Sequence, residues 1–296
     1  MDDVLIVGGS FAGLAAALTL GRARRKVTVL DTALPRNRYA AHSHGVLGHD
    51  HKPPGEILAA SRQQLARYPT VRLVQARATG ASGRADSFRV ATEAGDTYDA
   101  RRLLLSYGVV DQFPAIAGFA ECWGKSVIPC PYCDGFEVAD QHWGLLYSGP
   151  HSLHLVALYA DWTDRITVFA DGHPVDADAR ADLARRNVRL VEGRVLALEH
   201  TEGRIAAVAI EGGESVVLDV LFAHPLNRPA GNLHADLGLE LEQAPRGVAL
   251  KVDDMRQTSL AGVYAAGDLA NPMASVTFAM AHGVMAAIGA QRSMLD

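Results

Sequence analysis

Two cysteines separated by two residues lie in Pro129-Cys130-Pro131-Tyr132-Cys133-Asp134-Gly135. Thiols at this spacing can close a small disulfide, and a helix N-terminus or a nearby cation can hold one of them as thiolate. A thiolate attacks a disulfide through a mixed-disulfide intermediate. Asp134 directly follows the pair and can shuttle the proton that exchange requires. Three other uses compete. A zinc site would need two more ligands, and the chain offers Cys122 and scattered histidines such as His142; no metal is expected. Cys-Pro-Tyr-Cys matches the glutaredoxin motif, but no small domain of that type surrounds it. The cysteines could also be buried and inert. Cys122, outside the motif, reads as a structural thiol.

Nucleotide-binding elements stand on both sides of this pair. Val4-Leu5-Ile6-Val7 is a short apolar run that predicts a buried parallel strand. Gly8-Gly9-Ser10-Phe11-Ala12-Gly13 follows, then a helix over Leu14 to Gly21 and a second strand, Val27 to Leu30. Gly8 suits the tight turn, Gly13 lets helix and strand pack closely, and the helix N-terminus with Ser10, Phe11 and Ala12 offers N–H groups to a pyrophosphate. Asp31 lies 18 residues beyond Gly13, placed to accept from an adenosine ribose. Ser10 stands where G-x-G-x-x-G has its middle glycine, narrowing the phosphate space but adding a donor. Near the other end, Leu260 to Ala265 reads as a strand entering Ala266-Gly267-Asp268, then a helix over about Ser275 to Ala290. A dithiol between two halves of a dinucleotide site points to a flavin that exchanges electrons with it.

These blocks resemble the low-molecular-weight thioredoxin reductases and the related gliotoxin-type and holomycin-type dithiol oxidases. The resemblance covers nearly the whole chain: the first turn, Leu103 to Gly108, the Cys-Pro-Tyr-Cys block and the Gly267-Asp268 ending. It implies an α/β fold with two Rossmann-like domains, the second inserted into the first. The expected FAD-binding domain is 1–117 plus 221–296, and the insert carrying the thiols is 118–220. FAD is the implied cofactor, with Asp268 at the ribityl chain and Gly108 and Gly267 beside it. The last helix would aim its N-terminal dipole at the reduced flavin ring. Cys133 is implied to stack on the flavin and Cys130 to be the outer thiol that meets substrate. A homodimer is also implied. Ser106-Tyr107-Gly108 departs from the usual Ala-Thr-Gly, and Asp134 stands where many dithiol oxidases have His.

The middle of the chain departs further. Trp143 to Tyr147 predicts a strand, Ser148-Gly149-Pro150 a turn, His151 to Asp161 a helix and Arg165 to Phe169 the next strand. Where the resembled reductases keep an NADPH fingerprint, Tyr147 replaces the first glycine and Gly149 remains. Tyrosine lacks glycine's freedom in φ. After the second strand stands Asp171, which repels a 2′-phosphate yet would suit NAD. The expectation is a domain that no longer binds a nicotinamide cofactor tightly.

Between Arg36 and Glu56 lie His42, His44, His49 and His51. His44-Gly45 is expected at the flavin or a substrate pocket, and His49-Asp50-His51 in a solvated loop. His282, on the last helix, reads either as a base near the flavin or as an ordinary helix histidine.

Composition narrows the function class. The chain has 296 residues, 49% hydrophobic and 21% charged, and its net charge of -5 argues against nucleic acid. No apolar run is long enough to cross a bilayer. With three cysteines and an acidic Met1-Asp2-Asp3 leading into a strand, the expected location is cytoplasmic. The expected activity is FAD-dependent oxidation of a small-molecule dithiol with O2 as acceptor. Two alternatives stay open: a ferredoxin-driven enzyme acting on a thioredoxin-like protein, and a non-catalytic flavin sensor.

Overall fold

The structure, a computed structural model, describes residues 1–295. It divides into two compact units, 1–38 with 53–111 and 226–296, and 39–52 with 112–225. The sequence boundaries placed 39–52 with the first unit; here that histidine-bearing segment clusters with the second.

The first unit is built on a sheet in which Val71–Gln75, Val27–Asp31, Asp2–Val7, Thr97–Leu105, Ser87–Thr92 and Ala78–Arg84 follow in that order, with Val263–Ala265 also paired to Thr97–Leu105. The strands around Asp2–Val7 run parallel. Val4 and Ile6 pack into one hydrophobic cluster while Leu5 and Val7 pack into another. Both faces of this strand are buried, which is why it reads as a continuous apolar run rather than an alternation. Each such Leu or Ile contributes roughly 1.5–3 kcal/mol relative to exposure.

Helix Phe11–Arg22 begins three residues earlier than the apolar periodicity indicated, directly after its N-cap Ser10. Helix Val276–Arg292 starts at Ser275, whose side chain accepts from Phe278 N at 3.0 Å. Gly283 of this helix lies against the Ala12 carbonyl, a position where a Cβ would collide with it. The C-terminal helix thereby closes on the start of the first one.

The second unit holds a five-stranded parallel sheet. Its order is Arg189–Val191, Ile166–Phe169, Trp143–Leu146, Val220–Phe222 and Val127–Ile128. An antiparallel meander, Val195–Thr201, Arg204–Ile210 and Ser215–Val217, accompanies it. The helix expected over His151 to Asp161 is a 3-10 turn, Pro150–Leu153, followed by a short α-helix, His154–Tyr159. Among the described residues no helix is long and apolar enough to cross a membrane.

Candidate functional site

In the first unit, Val7, Leu105 and Ala265 are in register on adjacent parallel strands. The turns that follow them carry Gly8 to Gly13, Ser106 to Gly108 and Ala266 to Asp268, so all three open at the carboxyl end of the sheet. Asp31, at the end of the neighbouring strand, joins them. The crevice beyond such strand ends is where open α/β sheets take ligands.

The first turn has no room for side chains at two positions. Gly8 has φ +105°, and a Cβ there would collide with the Ser106 backbone; at Gly13 it would land on the Gly8 carbonyl. The helix N-terminus leaves the N–H groups of Phe11, Ala12 and Gly13 without intrahelical acceptors. Ser10 makes no side-chain cap bond, so its hydroxyl is not spent on the helix. Asp31 accepts from Gly9 N at 3.0 Å and from Arg62 Nη2 at 3.0 Å, and an ionised carboxylate keeps further lone pairs for ribose hydroxyls. The donor set and the tight turn fit the pyrophosphate and ribose of FAD.

Three partners here escaped sequence reasoning. Ser106 donates to the Gly8 carbonyl at 2.8 Å and to Val7 O at 3.2 Å, stitching the turn to the neighbouring strand end. Arg36 donates from Nη1 to Asp268 at 2.8 Å and from Nε to Asp111 at 2.9 Å. Ion pairing with the two carboxylates pushes the Arg36 pKa upward although burial, the largest single influence, opposes it. Gly108 accepts from Ala230 N through its carbonyl at 3.0 Å. His282 lies on the C-terminal helix with Nδ1 buried and unpaired, and burial, then the Arg256 charge, lowers its pKa.

In the second unit, strand Val127–Ile128 leads into extended Cys130, the N-cap of the single turn Pro131–Asp134. Pro131 suits that first position because its missing N–H costs nothing there. Cys130 and Cys133 are unbridged. The Cys130 pKa is drawn down to about 7, first by a hydrogen bond from the Cys133 thiol, then by the Cys133 and Tyr132 backbone, against burial and the Asp134 charge. Burial pushes the Asp134 carboxyl up to about 6; His44 counteracts this and Glu137 adds to it. Cys122, by contrast, is fully buried among apolar side chains, and burial raises its pKa.

His44 belongs to this turn. Its Nδ1 lies 2.7 Å from the Cys133 carbonyl and 3.8 Å from Asp134 Oδ1, and its Nε2 lies 3.4 Å from Glu137 Oε1. The His51 ring stands edge-on to it at 4.8 Å. One ligand-type atom each from His44, His51 and Glu137 falls within 4.8 Å of the others; zinc at about 2.1 Å from each would require them to draw closer. Tyr132 and Phe136 flank the thiols and are 71% and 81% exposed, giving the turn an apolar rim.

The second nucleotide-type turn is built differently. Tyr147 is buried in the domain core, its ring 6.1 Å from that of His173. Gly149 caps a 3-10 turn whose first residue is Pro150. Asp171 accepts from Val195 N at 2.9 Å, so its carboxylate anchors the start of the meander.

Known proteins resemble the chain over its whole length. The family described as pyridine nucleotide-disulphide oxidoreductase matches residues 2–283. A protein named thioredoxin reductase tcpT, from Claviceps purpurea, is 34% identical, covering 99% of this chain and 94% of its own. An oxidoreductase structure from Agrobacterium tumefaciens is 41% identical with a TM-score of 0.94, covering 99% and 98% of the two chains. The structure of HlmI is 31% identical with a TM-score of 0.92, covering 100% and 93%.

Proposed function

Since the chain belongs to the pyridine nucleotide-disulphide oxidoreductase family, as a thioredoxin reductase-like enzyme whose cofactor is FAD, we propose that it oxidises small-molecule dithiols with oxygen as acceptor and without a nicotinamide donor. The contrast between its two nucleotide turns carries this reading. The first turn ends in a helix with three free amides. The second puts Tyr147 where a glycine would stand and opens its helical segment with Pro150, which has no N–H to offer. Asp171 adds a negative charge where a 2′-phosphate would sit.

The residues carry the exchange as follows. A substrate thiolate attacks Cys130 of the oxidised pair, the Cys130–Cys133 bond breaks, and its electrons go to Cys133. The second substrate thiol gives up its proton to Asp134 and attacks the mixed disulfide, releasing Cys130 and the cyclised disulfide. Bound FAD would supply the two-electron chemistry that links the reduced Cys130–Cys133 pair to O2, for an overall balance of one dithiol and one O2 to one disulfide and one H2O2. Gly8, Gly13, Ser10, Phe11, Ala12 and Asp31 would hold its adenosine diphosphate half, and Gly108, Gly267 and Asp268 its ribityl side. Tyr132 and Phe136 favour a substrate with apolar surface next to its sulfurs.

A second reading rests on the names of the relatives, which include thioredoxin reductase tcpT: the same site would reduce a thioredoxin-like protein, fed by a ferredoxin-type donor. A non-catalytic sensor fits less well, because a half-buried, activated thiol pair beside the exposed Tyr132 and Phe136 is built for turnover. Anaerobic stopped-flow mixing with NADPH and NADH tests the reading. The flavin should bleach far more slowly with either than with a dithiol, and rapid reduction by NADPH would restore an ordinary thioredoxin reductase.

A further inference from the structure

His44 has one ring nitrogen whose role is fixed by its partner. A carbonyl oxygen only accepts, so Nδ1, 2.7 Å from the Cys133 carbonyl, must carry hydrogen and donate. The other nitrogen, Nε2, is sealed from solvent without a well-formed hydrogen bond, and faces Glu137 Oε1 at 3.4 Å. A bare ring nitrogen and a carboxylate oxygen are both acceptors and repel. The contact is favourable when a proton lies between them, and the imidazole, the stronger base of the two, holds it. The His44 side chain is 12% exposed and those of Asp134 and Glu137 are 29% and 32% exposed, so screening by solvent is partial.

We infer that His44 is a positioning residue of the thiol pair: its Nδ1–H fixes the Cys133 peptide, and the proton it shares with Glu137 sets a positive ring beside Asp134, keeping that carboxylate ready to accept the substrate proton. This deepens the thiol-exchange reading and rests on it. The charged and titratable groups that act on Asp134 are His44, at 3.8 Å, Glu137, and the Cys130 thiol of the same turn. Behind Glu137 stands His51, whose Nε2 is 4.0 Å from Glu137 Oε1 and 3.7 Å from Asp50 Oδ2. Glu137 would hold a proton on Asp134, and the ring opposes it. Without the ring, Asp134 stays protonated to higher pH and the thiol must lose its proton to water.

Two substitutions separate the two halves of this role. Asn can place its amide N–H where His44 has Nδ1–H, so His44→Asn keeps the bond to the Cys133 carbonyl while removing Nε2 and the shared proton. His44→Ala removes both. The carboxyl of Asp134 can be titrated directly by infrared difference spectroscopy of the FAD-bound protein, its band assigned by its loss in Asp134→Asn. In His44→Asn its midpoint should move up by about one pH unit, the size expected when an opposite charge a few ångströms away is lost. A midpoint that stays in place in His44→Asn would overturn the inference, and this readout needs no turnover. Anaerobic reduction of the oxidised pair by dithiothreitol, measured across pH, tests the exchange reading separately. Its acid limb should move with the infrared midpoint in His44→Asn while the high-pH plateau stays within about two-fold. His44→Ala should also lower the plateau. If dithiothreitol fails to reduce the wild-type pair at any pH, the exchange reading falls, while the infrared result still decides whether His44 tunes Asp134.

Discussion

Arg36 donates to Asp268 at 2.8 Å across 232 residues of chain, joining the loop after the second strand to the turn before the C-terminal helix. Its opposite edge is bonded to Asp111, whose side chain is 6% exposed. Asp268 is one of the acids expected at the flavin, so on that expectation this arginine would position a cofactor ligand as well as closing the fold. Arg36→Met should leave two carboxylates unpaired. The loss should be about 2–4 kcal/mol, at or below the range for a broken buried pair because Arg36 is 22% exposed. Thermal melts would register that loss, and the flavin-to-protein absorbance ratio should fall with it. A variant that melts like the wild type and stays fully yellow would show that the bridge contributes neither stability nor cofactor retention.

The first turn makes a second prediction. A Cβ at Gly13 has no space against the Gly8 carbonyl, so Gly13→Ala must spread helix from strand. Overpacking of this kind costs roughly 1–3 kcal/mol, and here it also displaces the amides that would face the pyrophosphate. The purified variant should be pale or colourless, and added FAD should restore little colour. Retention of flavin at wild-type stoichiometry would argue that the cofactor is held elsewhere.

Much of this architecture was legible because it is local. The run Val4 to Val7, the glycines after it and Asp31 lie within one βαβ segment, and each residue's place in the fold follows from its neighbours. The Cys130–Asp134 turn was legible for the same reason. Other features depend on chain separation. Arg36 meets Asp111 across 75 residues, Ser106 meets Gly8 across 98, and His44 meets Cys133 across 89. No periodicity reports such pairs. His44 was expected at the flavin or a substrate pocket from its place in the chain, and the structure sets its ring against the thiol turn. The shortened helix after Gly149 was partly readable, since Pro150 at its first position favours a turn.

The two cysteines should differ spectroscopically. If Cys133 is the sulfur that exchanges electrons with FAD, Cys130→Ser leaves its thiolate unable to form the disulfide. A long-wavelength charge-transfer absorbance should then appear in that variant and be missing from Cys133→Ser. The reverse pattern would exchange the roles assigned to the two sulfurs.

The pH dependence of Cys130 follows from its surroundings. The Cys133 thiol and local backbone bonds hold its pKa near 7, while the Asp134 charge works against them. In the reduced protein, alkylation by iodoacetamide should therefore rise with pH through a midpoint near 7. Removing the opposing charge in Asp134→Asn stabilises the thiolate, so the midpoint should move down and alkylation at pH 6 should accelerate. A midpoint that moves up instead would mean that Asp134 stabilises the thiolate, through a bond absent from this structure.

The direction of electron flow is the last and most consequential prediction. On the proposed reading, a thiol pair coupled to FAD, with Tyr147 and Pro150 in the second nucleotide turn, would be recharged by another dithiol or by a protein donor. Ferredoxins are acidic, and a basic docking face would serve one, yet the chain carries a net charge of -5. A dithiol needs only to reach Cys130, beside the exposed Tyr132 and Phe136, and oxygen is small enough to enter unaided. Incubation with dithiols in air should produce peroxide and disulfide in equal amounts, and Cys130→Ser should reduce turnover to background. The competing direction has its own signature. If air reoxidises the reduced protein only over many minutes while reduced ferredoxin drives rapid reduction of thioredoxin, the enzyme is a reductase and the oxidase reading fails.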